Sequence, residues 1–162
     1  MHVEPNLVVI ADDDCDDSLF LLSALLSTFP ELTVVTVSNA DRLISILEKV
    51  SPQFIFLDIN MPKKNGFEAL KHIRSNKKLV QPTVIMCSTS NSVNDLRSSH
   101  ELGADGYVTK PTNIKNLNKM VQDIFEIDWA SRRTERALEK MHITEEQYAE
   151  HKKPLIKKFG TV

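Results

Sequence analysis

Apolar residues along this chain follow two rhythms that take turns. Leu7-Val-Val-Ile-Ala11 is a short unbroken run that stops abruptly at acids, the pattern of a strand buried on both faces. Leu19, Phe20, Leu22, Leu25, Leu26 and Phe29 then recur at helical spacing, with Asp16 or Asp17 placed to cap the start and Pro30 beyond the end. The alternation repeats. Leu32 to Val37 reads as a strand, and Asn39 as the cap of a helix that turns Leu43, Ile44, Ile46, Leu47 and Val50 inward. Phe54 to Leu57 is a third strand ending at Asp58, and Gly66 to Ser75 a third helix with Phe67, Leu70 and Ile73 on one face. Thr83 to Cys87 is a fourth strand, Ser92 to Leu102 a polar fourth helix and Gly106 to Val108 a short fifth strand. Ile114, Leu117, Met120, Val121, Ile124 and Phe125 mark a fifth helix.

Five such alternations predict an α/β domain, a doubly wound parallel sheet with helices on both faces, because right-handed crossovers lay each helix against the sheet. Ligands in sheets of this kind bind beyond the carboxyl ends of the strands, where the strand order reverses. The polar residues at those ends are Asp12, Asp13 and Asp14 after the first strand, Asp58 after the third, Ser88 after the fourth and Lys110 beyond the fifth. Carboxylates brought together repel one another unless a cation holds them. An oxygen-only site of small size favours magnesium, which uses one or two carboxylates together with a phosphate oxygen.

Composition narrows the classes. At 162 residues the chain suits one domain, here 6–128, followed by a short extension over 129–162, since single cores occupy about 100 to 200 residues. Apolar residues at 41% and charged residues at 26% describe an ordinary globular chain. No apolar run approaches the ~20 residues that cross a bilayer, and the start lacks a signal-type stretch, so the expected place is the cytoplasm, without a membrane partner. Cys15 and Cys87 lie far apart and pair with no histidine at zinc spacing, which excludes a disulfide framework or a zinc finger. The five histidines show no motif and suit exposed helix positions.

The pieces Val8-Val-Ile-Ala-Asp-Asp-Asp14, Phe56-Leu-Asp-Ile-Asn-Met-Pro62 with Gly66, Val84-Ile-Met-Cys-Ser88 and Gly103-Ala-Asp-Gly-Tyr-Val-Thr-Lys-Pro111 occur in an order and spacing that resembles the receiver domains of two-component response regulators, notably the single-domain chemotaxis type. That resemblance runs from about Asn6 to Asp128. It implies a flavodoxin-like strand order 2-1-3-4-5. It implies that Asp58 accepts a phosphoryl group, that Asp13 binds Mg2+ directly and Asp12 directly or through water, and that Asp58 and the Asn60 carbonyl complete the protein's share of the ligands. It implies further that Lys110 and Ser88 stabilise the phosphoryl group, that Ser88 and Tyr107 form the switch, and that the Lys110–Pro111 peptide bond is cis. Ser88 replaces a more frequent threonine and Thr89 stands where a smaller residue is common, while Asn60 and Ser90 occupy places where the family tunes hydrolysis.

The resemblance therefore implies a Mg2+-dependent phosphoacceptor in a phosphorelay, taking its phosphoryl group from a sensor histidine kinase or a histidine phosphotransfer protein and passing the signal to an output protein. It would catalyse its own phosphorylation and dephosphorylation without being a metabolic enzyme. Simpler readings exist for the single pieces: Asp12 to Asp14 as helix caps, Lys110-Pro111 as a turn, Tyr107 as a half-buried strand aromatic. A phosphorylation-independent interaction module is disfavoured by the complete set of site residues. A haloacid-type hydrolase would want an acid at position 60, where Asn60 cannot serve as general acid or base.

The extension over 129–162 holds 8 Lys and Arg against 5 Glu, a weakly basic tail on an acidic body. Arg132, Arg133 and Arg136 raise direct nucleic-acid binding, an alternative weakened by the small charge excess and by the lack of a helix-turn-helix after residue 128. About 34 residues cannot bury a core of their own without disulfides or metal. The expectation is a helical appendage, with Ala130 to Met141 as one helix and Thr144-Glu-Glu-Gln147 capping another that Pro154 ends. Trp129, Tyr148, Leu155, Ile156 and Phe159 would anchor it near the fifth helix or in a homodimer contact.

Overall fold

The computed structural model describes residues 4–79 and 82–133. Its strands are β1 (Glu4–Ala11), β2 (Thr33–Val37), β3 (Pro52–Asp58), β4 (Thr83–Ser88) and β5 (Gly106–Thr109). The helices between them are α1 (Cys15–Thr28), α2 (Ala40–Leu47), α3 (Gly66–Ser75), α4 (Val93–Glu101) and α5 (Ile114–Phe125). All strand pairs are parallel and the order is β2-β1-β3-β4-β5, as the resemblance implied. β1 and β3 are therefore central, and the order reverses between them, at the carboxyl ends that carry Asp12 and Asp58.

Alternation along the strands assigns each side chain to one of two cores. Val8 and Ile10 of β1, Phe54 and Phe56 of β3, Ile85 and Cys87 of β4 and Val108 of β5 face α1 and α5. Val9, Ala11, Ile55, Leu57, Val84 and Met86 face the opposite layer, which is closed by Leu43 and Leu47 of α2 and Leu70 and Ile73 of α3. Both faces are covered, so the strands read in the sequence as continuous apolar runs. Phe29, Phe125 and Phe54 stack in succession, with centroid separations of 4.6 and 4.5 Å, and tie the ends of α1 and α5 to β3.

Helix starts follow local chemistry closely. Asn39, Asn65, Ser92 and Asn113 cap α2 to α5 by accepting a backbone N–H in the first turn. At α1 the cap is Asp14, whose carboxylate accepts from the Asp16 and Asp17 amides at 2.9 and 3.1 Å. This corrects the cap expected at Asp16 or Asp17 and bears out the simpler reading of Asp14 as a cap: Asp14 has the extended backbone a cap needs, and Asp16 and Asp17 lie in the first turn. On α1, Leu19 (52% exposed) and Leu26 face outward, contrary to expectation, while Leu21 and Ala24 are buried. Eight apolar residues within the eleven positions 19–29 cover more than one face, and only one face meets the sheet.

The chain turns helical again over 129–133, and this start of the extension is docked. Trp129 is buried in the core beneath α5 and its indole N–H donates to the Ile124 carbonyl at 2.9 Å. Its ring lies over Gly106, where even a Cβ would come within 2.8 Å of Ile85 Cδ1 and 3.0 Å of the indole. Arg133 reaches Asp105 and Thr83 Oγ1, at 2.7 and 2.6 Å, and Asp105 also accepts from Arg74 at 2.7 Å and from the Val84 amide at 2.8 Å. Arg132 stacks over Trp129, 5.7 Å from the ring centroid. Two of the three arginines raised for nucleic-acid binding are thus engaged within the domain. Arg136, the remaining anchors and the helices expected after residue 133 lie outside the described residues, as do His2, His142 and His151. His72 is exposed, whereas His100 is half-buried rather than exposed.

Removing this plug has a measurable consequence. Trp129→Ala is expected to lower the unfolding free energy by about 3–5 kcal/mol, the range for a large buried aromatic, measured by urea denaturation. A loss under about 1 kcal/mol, the scale of a surface substitution, would refute the docking.

Candidate functional site

The carboxyl ends of the strands gather the acids. β1 ends at Ala11, and Asp12 is held in place by its amide, which donates to the Val37 carbonyl at 3.0 Å, and by its Oδ1, which accepts from the Asp14 amide at 3.0 Å. Asp12 is buried and Asp13 beside it is exposed. Asp58 ends β3 and is buried, with Oδ2 accepting from the Asn60 amide at 2.7 Å. The loop beyond it must fold back tightly. Lys63 takes a left-handed φ of 68°, and the Gly66 amide donates to the Ile59 carbonyl at 2.9 Å. A Cβ on Gly66 would collide with the Asp58 carbonyl, so the glycine lets α3 start directly under the end of β3.

Lys110 is the cation of the site. Its amide donates to the Ser88 carbonyl at 2.7 Å, which fixes the chain as it leaves β5. The ammonium reaches Asp12 Oδ2 at 2.7 Å, Asp17 Oδ2 at 2.8 Å and Asp58 Oδ1 at 2.8 Å. Below it, between α1 and α5, lies a hollow walled largely by apolar side chains, among them Phe20, Phe56, Cys87, Val108, Leu117 and Met120. Burial alone would favour the neutral amine, but the hydrogen bonds to Asp12, Asp17 and Asp58 outweigh it and hold the Lys110 pKa well above the ordinary lysine value. Asp12 is shifted upward because burial penalises its charge more than Lys110 relieves it. The Lys110–Pro111 bond is trans, since no cis peptide occurs among the described residues. This corrects the expected cis bond; trans is the lower-energy isomer of an X–Pro bond by about 0.5–1 kcal/mol.

One oxygen each from Asp12, Asp13 and Asp58 lie within 4.8 Å of one another. A donor set made only of carboxylate oxygens fits a hard divalent cation, and one ammonium among these acids leaves negative charge for such a cation to offset. The other expected residues stand around this centre. Ser88 is fully buried at the end of β4 and its hydroxyl accepts from the Ser90 amide at 3.0 Å. Tyr107 on β5 is half-buried, and its hydroxyl donates to the Ser90 carbonyl at 2.9 Å; burial raises its pKa. Thr109 Oγ1 donates to Asn91 Oδ1 at 2.6 Å, so two bonds tie β5 to the loop after β4. Thr89 is exposed, as are Ser90 and Asn60.

Sequence reasoning placed Asp12, Asp13, Asp58, Ser88, Lys110 and Tyr107 at this pole of the sheet, and the structure brings them there. It missed Asp17 as a partner of Lys110. The signal was faint: an acid in the first helical turn leans back toward the helix start, and so toward the end of β1.

A model of the response regulator receiver domain matches residues 8–122 of this chain. Response regulator Rcp1 of Synechocystis sp. is 30% identical over 74% of the chain and 86% of its own length. Stress response regulator protein 1 of Candida tropicalis is 33% identical over 75% of the chain, but the match spans only 48% of that protein. A solved structure of the phosphorylated cyanobacterial phytochrome response regulator RcpA superposes with a TM-score of 0.68, at 30% identity, covering 75% of this chain and 91% of that one. The Mn2+-bound form of Rcp1 superposes with a TM-score of 0.66 at 30% identity, over 74% and 91%. The chain belongs to the response regulator receiver domain family of two-component signalling. Asp12, Asp13 and Asp58 form an acidic pocket of the kind typical of that family's metal site.

The thiols divide according to burial. Cys15 is exposed, whereas Cys87 is buried beside the site and burial pushes its pKa up to about 12. Iodoacetamide at pH 8 is expected to modify Cys15 alone until the protein is unfolded, read by intact-mass spectrometry. Labelling of Cys87 at a comparable rate in the folded protein would contradict the packing beneath Lys110.

Proposed function

We propose that this chain is a phosphoryl-activated switch that accepts a phosphoryl group on Asp58 from a histidine kinase or histidine phosphotransfer protein and thereby changes its protein contacts. The observation that carries the reading is the buried carboxylate of Asp58 at the end of β3, 2.8 Å from the Lys110 ammonium and within reach of the oxygens of Asp12 and Asp13. Relatives support it: RcpA was solved phosphorylated and Rcp1 with Mn2+.

In this mechanism a carboxylate oxygen of Asp58 forms the new bond to phosphorus as the bond to the donor's leaving atom breaks, and that atom keeps the electron pair. Magnesium is the ion proposed for Asp12, Asp13, Asp58 and the Asn60 carbonyl, and when bound it supplies charge neutralisation at the transferring group. Lys110 holds a second positive charge on the same side. The Ser88 hydroxyl gives up the Ser90 amide and turns toward the phosphoryl oxygens, together with backbone N–H groups after Asp58. Its movement frees Tyr107 from the Ser90 carbonyl to turn inward, and the surface of α4, β5 and α5 carries the change to an output partner. The proposed role is that of a cytoplasmic signalling phosphoacceptor, which turns over its own acyl phosphate and transforms no metabolite.

Asp58→Asn is expected to abolish magnesium-dependent labelling by acetyl phosphate, followed by phosphate-affinity electrophoresis, because an amide does not attack phosphorus. Undiminished labelling of that variant would overturn the assignment. Asp13→Ala is expected to weaken Mg2+ binding at least about tenfold and to slow labelling with it, since one ligand serves both; titration calorimetry giving wild-type affinity would remove Asp13 from the metal site. Beryllofluoride, a phosphoryl mimic, is expected to shift the amide NMR signals of Ser88 to Tyr107, and unchanged spectra would reject the switch.

A further inference from the structure

Three carboxylates share the Lys110 ammonium, and they are not equivalent. Asp12 and Asp58 also belong to the cluster of oxygens that fits a metal ion, whereas Asp17 does not. A cation bound there draws on Asp12 and Asp58, and phosphorylation converts an Asp58 oxygen into an acyl ester. Asp17 is the partner that neither event removes. An ammonium has three N–H donors, and in this structure Asp12, Asp17 and Asp58 account for three contacts at 2.7–2.8 Å. A phosphoryl oxygen arriving at Lys110 therefore meets a cation already shared.

The backbone and carboxylate of Asp17 have separate tasks. Its amide is satisfied by the Asp14 cap at 3.1 Å, so the entry into α1 does not draw on its carboxylate. That carboxylate is 40% exposed, so the pair with Lys110 is partly screened and weaker than the pairs with Asp12 and Asp58. Asp17 and Lys110 both line the mouth of the hollow between α1 and α5, which leaves space beside the ammonium.

From these contacts, and resting on the phosphoacceptor reading of Asp58, we propose that Asp17 is a positioning residue that competes with the incoming phosphoryl group for Lys110 and restrains phosphorylation of Asp58. Its carboxylate holds one donor of the ammonium and adds a negative charge beside a site that must admit an anion. The same contact draws Lys110 toward α1. The restraint is graded, not a block, because the pair is partly exposed.

The test compares full-length wild-type protein with Asp17→Asn, Asp17→Ser and Asp17→Glu at saturating Mg2+, using acetyl phosphate as donor and phosphate-affinity electrophoresis to time the labelling. Thermal unfolding midpoints check each variant's fold, and the serine variant serves if the asparagine protein is unstable. The neutral variants are expected to label about threefold to fivefold faster, the scale of losing one partly exposed ion pair. Asp17→Glu, which keeps the carboxylate, is expected to stay at the wild-type rate. Neutral variants that label at the wild-type rate or slower would overturn this inference and leave Asp58 as phosphoacceptor intact. A glutamate variant as fast as the neutral ones would also overturn it, by showing that charge is not the cause. No labelling in any of the proteins would overturn both the inference and the phosphoacceptor reading beneath it.

Discussion

The arrangement turns on one ammonium. Asp12 and Asp17 flank the start of α1 and Asp58 ends β3, and each would raise the energy of the others if left together in a partly dry site. Lys110 binds all three within 2.8 Å and so permits the convergence of β1, α1 and β3 at one pole. Its own position depends in turn on the hydrogen bond from its backbone N–H to the Ser88 carbonyl, on the end of β5 and on the apolar wall below it. Charge that is expensive to gather is chemically useful once gathered, because a divalent cation and an anionic group can replace parts of the same network.

The sheet provides the rigidity this needs. β1 and β3 are interior strands with apolar residues packed on both faces, so Asp12 and Asp58 follow or end strands that are paired on both sides. β5, which carries Tyr107 and leads to Lys110, is an edge strand of four residues. The site therefore joins carboxylates at the ends of interior strands to groups carried by an edge strand.

Most of this could be read from the residues. Gly66 to Ser75 is a helix over the predicted span because Asn65 and Glu68 form a capping box and the apolar positions recur with one period. Asn39 and Ser92 likewise announce their helices. At α1, apolar excess hid which side faces the sheet, and a run of five acids interrupted only by Cys15 hid which one caps. The pairing of Asp17 with Lys110 joins residues 93 positions apart, and no local pattern reports it. Nor could periodicity show that Trp129 would settle on Gly106, since that contact depends on where α5 ends relative to the foot of β5. The resemblance supplied roles for Asp58, Ser88 and Tyr107 that spacing alone does not contain, and it also supplied a cis bond at Lys110–Pro111 that this chain does not have.

Asp105 and Gly106 stand at the opposite end of β5 from Lys110. There Trp129 leaves no room for a Cβ, and two guanidinium groups grip one carboxylate that also holds the first strand-pair amide of β4. At the other end Tyr107 and Thr109 are joined to the neighbouring loop by single hydroxyl bonds. A strand so fastened has a packed, ion-paired root, whereas its tip adds to the β4 ladder only those hydroxyl bonds and the bond from the Lys110 amide to the Ser88 carbonyl. The first helical turn of the C-terminal extension is what clamps that root. Residues 129–133 thus belong to the packing that holds the foot of the edge strand.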